Sequence, residues 1–462
     1  MPPPTPTPDP AGPEEAPAPV PVSHLSVPRA PAGARPGDGP AGARRSVGDT
    51  GGMPSVALDG DPVPRTGELP EASLAELGGQ PLGFYVHVPF CVTRCGYCDF
   101  NTYTAEELVS RDGTATASRA TYADQAVAEV ALADRVLSGA RPPVSTVFVG
   151  GGTPTLLSAE DLGRIVAAVR DRFGFTPGTE VTTEANPETV TPEYLVRLRE
   201  AGFTRISFGM QSARPHVLKV LERGHTPGRP EQCVGWAREA GFDHVNLDLI
   251  YGTPGETDDD WRASLDAAVS AGPDHVSAYS LIVEEGTRLA ARVRRGELTE
   301  PDDDTMADRY LMADDVLAGA GFTAYEVSNW ARTPEGRSAH NLLYWTGGHW
   351  WGVGPGAHSH VGGTRWWNVK HPAAYAARLN SGDSPGQARE VLTREERRFE
   401  RILLELRVEQ GCPLDLLEPH GRAAAERAVA EGLLEAGAHG AGRAVLTRRG
   451  RLLADAVVRD LT

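Results

Sequence analysis

The chain has 462 residues, which allows one large α/β domain with a smaller one beside it, since single cores stop growing near ~250–300 residues. Its 45 Lys and Arg are set against 62 Asp and Glu, a formal net charge of −17 spread without basic runs, which argues against nucleic acid as the main partner because reading phosphates needs clustered Lys and Arg. Five cysteines are too few for a disulfide framework, no apolar run reaches the ~18 residues of a membrane span, and no basic-then-apolar leader opens the chain, so a reducing, cytoplasmic setting is expected.

Residues 1–78 are rich in Pro, Ala and Gly and read as a disordered tail outside the fold. A regular alternation begins at residue 83. GFYVHV (83–88) reads as a strand, followed by a loop with three cysteines and an Ala-rich helix over 121–138. STVFVGG (145–151) is the next strand, and Ser158 suits the N-cap of a helix running to Phe173. TEVTTEAN (179–186), TRISFGMQS (204–212), DHVNLDLIYG (243–252) and DHVSAYSLI (274–282) read as four more strands, with helical patterns over 191–201, 213–240 and 258–270 between them. Short Val/Ile/Phe-rich strands, each followed by a helix, are the signature of βαβ units and a parallel sheet. Six units suggest an incomplete (β/α)6 barrel, with a doubly wound open sheet as the alternative. Either places the site at the C-terminal strand ends, where the polar motifs cluster. Beyond residue 300 a helix is expected over 304–320 and a further strand at TAYEVSNWA (323–331). The divisions expected are a barrel over 79–300, an extension over 301–375 and a helical, winged-helix-like domain over 376–462.

Cys91, Cys95 and Cys98 are spaced C-x3-C-x2-C. Thiolates suit iron–sulfur clusters and zinc. Three in one loop can hold three corners of a cubane and leave one iron open for a chelating cofactor. A structural zinc site would need a fourth closed ligand, for which His87 is the nearest candidate, and no second knuckle is present. Cys233 and Cys412 stand alone and read as inert buried thiols.

YVHVPFCVTRCGYCDFN (85–101) resembles the cluster loop of the radical S-adenosylmethionine (SAM) proteins. More narrowly, it resembles the oxygen-independent coproporphyrinogen oxidases and the related HemW-type heme chaperones. The likeness continues through VGGGTPTLL (149–157), TTEANPET (182–189), RISFGMQS (205–212), NLDLIYGTPGET (246–257) and SAHNLLYW (338–345). The resemblance implies a partial radical SAM barrel with a [4Fe–4S] cluster on Cys91, Cys95 and Cys98, its fourth iron chelated by the amino and carboxylate groups of SAM. It implies that Gly151, Gly152 and Thr153 receive the methionine end. Tyr85 and Tyr97 would flank the cofactor, and Glu184, Gln211, Arg223 and Asp248 would supply polar contacts, an Arg fork being suited to a carboxylate. Taken singly, each strand-end carboxylate could instead cap a helix or pair with an Arg.

The oxidases carry one more cysteine two positions after the third. Phe100 stands there, which puts oxidative decarboxylation of coproporphyrinogen III in doubt and resembles the chaperone branch. In that branch the HNxxYW motif, here His340 to Trp345, is associated with heme, implying heme as cargo and an acceptor hemoprotein, such as a respiratory one, as partner. Imidazole is a common axial iron ligand and aromatics cover porphyrin faces. Six of the eight tryptophans and five of the thirteen histidines lie between residues 330 and 371. The alternative is an aromatic core closing the sheet edge, with His340 as a hydrogen-bonded core residue. His358, in GVGPGAHSH (352–360), could touch cofactor or heme; the sequence leaves it open.

Overall fold

The structure, a computed structural model, describes residues 60–78, 80–109, 117–140, 142–300 and 302–462. Most of the expected tail, residues 1–59, lies outside the described residues. The strands in chain order are β1 (Asp61–Pro62), β2 (Leu82–Val88), β3 (Val144–Gly151), β4 (Phe175–Ala185), β5 (Arg205–Gln211), β6 (His244–Tyr251), β7 (His275–Ser280), β8 (Thr323–Ala324), β9 (Asn329–Ala331), β10 (His349–Val353), β11 (His358–Val361), β12 (Thr364–Asn368) and β13 (Gly386–Val391). They form one sheet ordered β1-β13-β12-β11-β10-β2-β3-β4-β5-β6-β7-β9-β8, a linear order that leaves the barrel open.

β2 to β7 pair in parallel from neighbour to neighbour, with helices Arg119–Val136, Ala159–Phe173, Pro192–Glu200, Arg229–Glu239 and Asp258–Ala271 among the crossovers. Period-2 alternation sorts the side chains. On β2, Phe84, Val86 and Val88 are fully buried, with Phe84 against Phe173 at 5.0 Å between centroids. Tyr85 faces the lumen. Helix starts follow local capping chemistry: Ser158 Oγ accepts from Asp161 N (3.0 Å), and Thr257 and Asp260 form a reciprocal capping box. Among the described residues no helix is long and apolar enough to cross a membrane.

Three expected boundaries change. Residues 60–78 are not tail: β1 pairs antiparallel with β13, helix Glu71–Glu76 follows, Leu77 is fully buried in the main core, and Ser73 Oγ bonds Thr364 Oγ1 at 2.7 Å. The Pro-rich composition of the first 78 residues hid a short amphipathic segment that seals the sheet edge. TAYEVSNWA is two strands, since β8 turns back on β9, which pairs antiparallel with β7. β13 lies within the main sheet, so the separate C-terminal unit starts at helix Arg394–Glu405 rather than at 376. That unit has its own core around Ile402, Leu406, Leu417, Ala425 and Leu461.

β10 joins β2 in parallel, and β10 to β13 then run as an antiparallel meander. A buried carboxylate staples this meander to the barrel. Glu129, on helix Arg119–Val136, accepts from Gly354 N (2.8 Å), Asn368 Nδ2 (2.7 Å) and Tyr375 Oη (2.5 Å). Burial pushes it up to about 7 against these donors.

Candidate cluster and cofactor site

The cysteine loop leaves the C-terminal end of β2 and is clamped at its base by Cys91 N to Tyr103 O (3.0 Å) and Tyr103 N to Pro89 O (2.7 Å). Its tip is held by Gly96 N to Leu221 O (3.0 Å) and Leu289 N to Gly96 O (2.8 Å), while Arg288 donates to the Arg94 carbonyl. The three cysteines are free thiols, half-buried on this loop. Among the described residues no three or more His, Cys, Asp or Glu side chains converge on a point that a single ion could occupy. His87, the candidate fourth zinc ligand, is committed elsewhere: Nδ1 bonds Tyr85 Oη (3.0 Å) and Nε2 bonds the Asn101 carbonyl (2.9 Å). Three thiols that act on one another from one loop suit a cluster that offers each a different iron. Burial pushes the Cys98 thiol up to about 12, a cost to ionisation that a bound cluster would offset by taking the place of the proton.

The GGGT turn after β3 lies directly against this loop. Gly152 N donates to Val88 O and Thr153 N to Phe90 O, both at 2.8 Å. A Cβ on Gly152 would sit 2.5 Å from Phe90 O and 2.9 Å from Cys91 Sγ, so only glycine lets the two segments touch. Gly151 has φ 111°, the left-handed region, and a Cβ there would meet His87 at 2.8 Å. Gly151 N also donates to Glu184 Oε2 (3.0 Å), tying the turn to β4.

Glu184 and Asp248 face the lumen from β4 and β6. Asp248 accepts from Ser207 Oγ (2.6 Å) and Asn246 Nδ2 (2.7 Å). Burial, then the charge of Asp248, pushes Glu184 up to about 8; burial also raises Asp248. Neither carboxylate has a salt-bridge partner among the described residues. At the end of β5 the register slips between Gly209 and Gln211, and Gln211 takes φ 64°, strained for a side-chain-bearing residue. Arg223 donates from Nη2 to Gly209 O (3.1 Å), sets Nη1 3.8 Å from Cys95 Sγ, and leaves a buried Nε without a partner. Tyr97 packs beside these groups on the loop, and Tyr85 stacks on Phe148, its register partner on the neighbouring strand β3, at 6.3 Å.

The cluster cysteines, Tyr85, Tyr97, Gly151, Gly152, Thr153, Glu184, Gln211, Arg223 and Asp248 therefore gather at one mouth. The chemistry of this donor set fits the group that the sequence implies. Two raised carboxylates that hold no salt bridge among the described residues suit the ammonium and sulfonium of SAM, and the orphaned Arg223 nitrogen suits a carboxylate. Sequence reading missed Ser207, Asn246 and Ser277, which hold Asp248 in place; the inward i, i+2 pattern Asn246/Asp248 was the available signal.

His340 lies deeper in the same lumen, its ring stacked toward Tyr85 at 6.5 Å. Helix Ala339–Trp345 closes the opposite, N-terminal end of the lumen, with Ala339 N and His340 N both donating to the Glu180 carboxylate (3.1 Å each). The His340 ring is 1% exposed, with Nδ1 on Thr146 Oγ1 (2.9 Å), Nε2 on Tyr344 Oη (2.8 Å) and a face stacked on Phe148 at 5.2 Å. The geometry is that of the hydrogen-bonded core residue, the second of the two readings open for this motif.

Residues 85–268 match the model of the Radical SAM superfamily. A heme chaperone HemW of Mycobacterium tuberculosis is 55% identical over 396 residues, 85% of this chain and 97% of that protein. A heme chaperone HemW of Bacillus subtilis is 33% identical over 379 residues, 81% and 97% of the two chains. The solved structure of coproporphyrinogen III oxidase (HemN) from Escherichia coli, a radical SAM enzyme, superposes with a TM-score of 0.72 at 22% identity over 89% of this chain and 96% of that one, which shows a shared fold. The extent of these matches, together with a cysteine loop and glycine turn built against each other at one barrel mouth, makes this chain a member of the HemW family of radical SAM proteins.

Proposed function

We propose that this protein is a cytoplasmic heme chaperone. It carries a [4Fe–4S] cluster on Cys91, Cys95 and Cys98, binds SAM, binds heme as cargo, and passes the heme to an acceptor hemoprotein such as a respiratory one. The observation that carries this reading is the 55% identity to a heme chaperone along 97% of that protein. Phe100 supports it: the residue is 56% exposed at the position where the related oxidases carry a further cysteine.

Within this reading, Gly151, Gly152 and Thr153, whose N–H groups are already engaged, offer backbone carbonyls to the methionine ammonium of SAM, and Arg223 holds its carboxylate. Glu184 and Asp248 complement its cationic groups, Gln211 adds a polar contact, and Tyr85 and Tyr97 exclude water from it. Bound to the cluster, SAM supplies a sulfonium that one electron can cleave.

The experiment is anaerobic. Protein with reconstituted cluster is titrated with hemin, then mixed with an apo-hemoprotein acceptor, and in parallel is given SAM, a reductant and coproporphyrinogen III. The expected result is stoichiometric heme with a Soret band and its transfer to the acceptor, without protoporphyrinogen. Turnover of coproporphyrinogen would overturn the chaperone reading in favour of oxidase activity.

A further inference from the structure

β10 to β12 continue the lumen face beyond the barrel edge. Gly352 lies opposite Tyr85, His360 opposite Trp350, and Trp367 opposite His358. Alternation then splits this His- and Trp-rich segment into two faces. Trp351, Ser359, Val361 and Trp366 point into the core, with Trp351 and Trp366 edge to face at 4.9 Å. Trp350, His358, His360 and Trp367 share the other face, open to solvent at His358, partly at Trp350 and His360, and closed at Trp367, which is buried beneath Gly60 and steadies the His358 ring.

The histidines near the barrel differ in what their ring nitrogens are already doing. His87, His275 and His340 are buried with both nitrogens engaged. His360 gives Nδ1 to the Gly348 carbonyl (2.9 Å), and His349 Nδ1 accepts from Gly362 N (3.3 Å). His358 alone of these is exposed, and no described group hydrogen-bonds its ring. The ring stacks on Trp367 (5.8 Å, 25°), and its backbone oxygen accepts from Trp350 Nε1 (3.0 Å), which fixes the indole beside it. Desolvation of the ring body against the sheet, then the Lys370 and Arg365 cations, push His358 down to about 4, so the imidazole is neutral and keeps a lone pair. Arg365 is already committed to Glu390 (2.7 Å) and Glu400 (2.6 Å). Lys370 is exposed and free of any salt bridge among the described residues, leaving one unspent cation beside this aromatic face.

We infer that His358 is the axial protein ligand of the heme iron, with the porphyrin resting on the part-exposed Trp350 and His360 beside it and a propionate turned to Lys370. This rests on the heme-chaperone reading and names its cargo site. The step is coordination only: the imidazole lone pair fills one axial position of the iron, a water or hydroxide leaves it, and no oxidation state changes.

The full chain is titrated with hemin and followed by absorption and resonance Raman spectra. Losing even an outer partner of a metal ligand costs about 10–100-fold in metal affinity, so His358→Ala should raise the heme Kd at least about tenfold. It should also erase the histidine-ligated spectrum, which added imidazole restores. His358→Met, which keeps the bulk, should shift the spectrum to a thioether-ligated form even if the Ala variant is poorly folded. His340→Gln, whose amide can still reach Thr146 and Tyr344, should keep the histidine-ligated spectrum. If wild type takes up no heme, the chaperone reading itself fails. If wild type binds heme through histidine and the His358 variants keep its spectrum and Kd, or the His340 variant loses them, this assignment alone is overturned.

Discussion

Gly152 is where the cysteine loop and the GGGT turn press together, and Gly152→Ala puts that contact to a quantitative trial. The added methyl would lie 2.5 Å from Phe90 O and 2.9 Å from Cys91 Sγ. Neither neighbour can retreat freely. Phe90 O already accepts from Thr153 N at 2.8 Å, and Cys91 N is bonded to Tyr103 O at 3.0 Å. Overpacking of a tight site costs ~1–3 kcal/mol, and a clash with backbone rather than with a flexible side-chain tip belongs at the upper end. With a urea slope of ~1–3 kcal/mol/M, the unfolding midpoint should fall by on the order of 1 M. Relief requires the Cys91 segment to move away from the turn, which displaces one ligand, so reconstituted iron and sulfide should fall well below wild type. Gly235→Ala is the control. That glycine lies inside helix Arg229–Glu239, and a methyl there would meet nothing within 4 Å, so the change should stabilise by roughly 0.5–1 kcal/mol and leave iron loading alone. A Gly152→Ala protein with wild-type iron, sulfide and midpoint would refute the claim that glycine is required for this contact.

Cys95→Ser replaces a soft thiolate by a hydroxyl and should abolish the anaerobic brown colour and the iron and sulfide content, whereas Cys412→Ser, within the C-terminal core, should spare them. Stoichiometric zinc without iron or sulfide in anoxic wild-type protein would contradict the cluster assignment. Glu129→Gln should destabilise by about 1–3 kcal/mol, because its amide NH2 must face groups that all donate to the native carboxylate. The difference should also depend on pH. Glu129 moves from an ordinary 4.5 up to about 7 in the fold, so the folded state holds the proton more tightly. The wild-type contribution is then full below the unfolded value and is lost as pH rises through the folded one, while Gln does not titrate. The stability gap between wild type and variant should therefore shrink from about pH 5 to about pH 8, by up to ~1 kcal/mol per unit, measured by urea unfolding. A gap that widens with pH would show that Glu129 is not held in this way.

The parallel core was legible because its strands are buried on both faces and read as Val/Ile/Phe runs between capped helices. Ser158 and its helix to Phe173 are placed to the residue. The edges were not. β1 is two residues long and β13 reads GQAREV, neither with an alternation that could be told from a loop. Both are strands because a neighbour supplies the hydrogen bonds, which is information held by the sheet and not by the segment. The same holds for Glu129, an acidic residue in an Ala-rich helix whose partners Gly354, Asn368 and Tyr375 lie more than 200 residues away.

The site divides along a similar line. Residues of the cysteine loop, the GGGT turn and the strand ends act through short stretches whose chemistry is local, so spacing and residue type suffice to place them at one mouth. His340 illustrates the other case. Residue type told what the imidazole could do, but not that Thr146 and Tyr344 had already taken both nitrogens. His358 reverses it: the segment reads as a Gly-rich turn before a polar stretch, and it gains two faces only as the strands β10 to β12, with the covered face set by Gly352 landing opposite Tyr85. Had the register slipped by one, Trp351 and Trp366 would face solvent and His358 would be buried. A ligand is thus a residue type plus an uncommitted lone pair, and in this segment that freedom is fixed by a strand pairing whose two members, β10 and β2, are separated by most of the barrel in sequence.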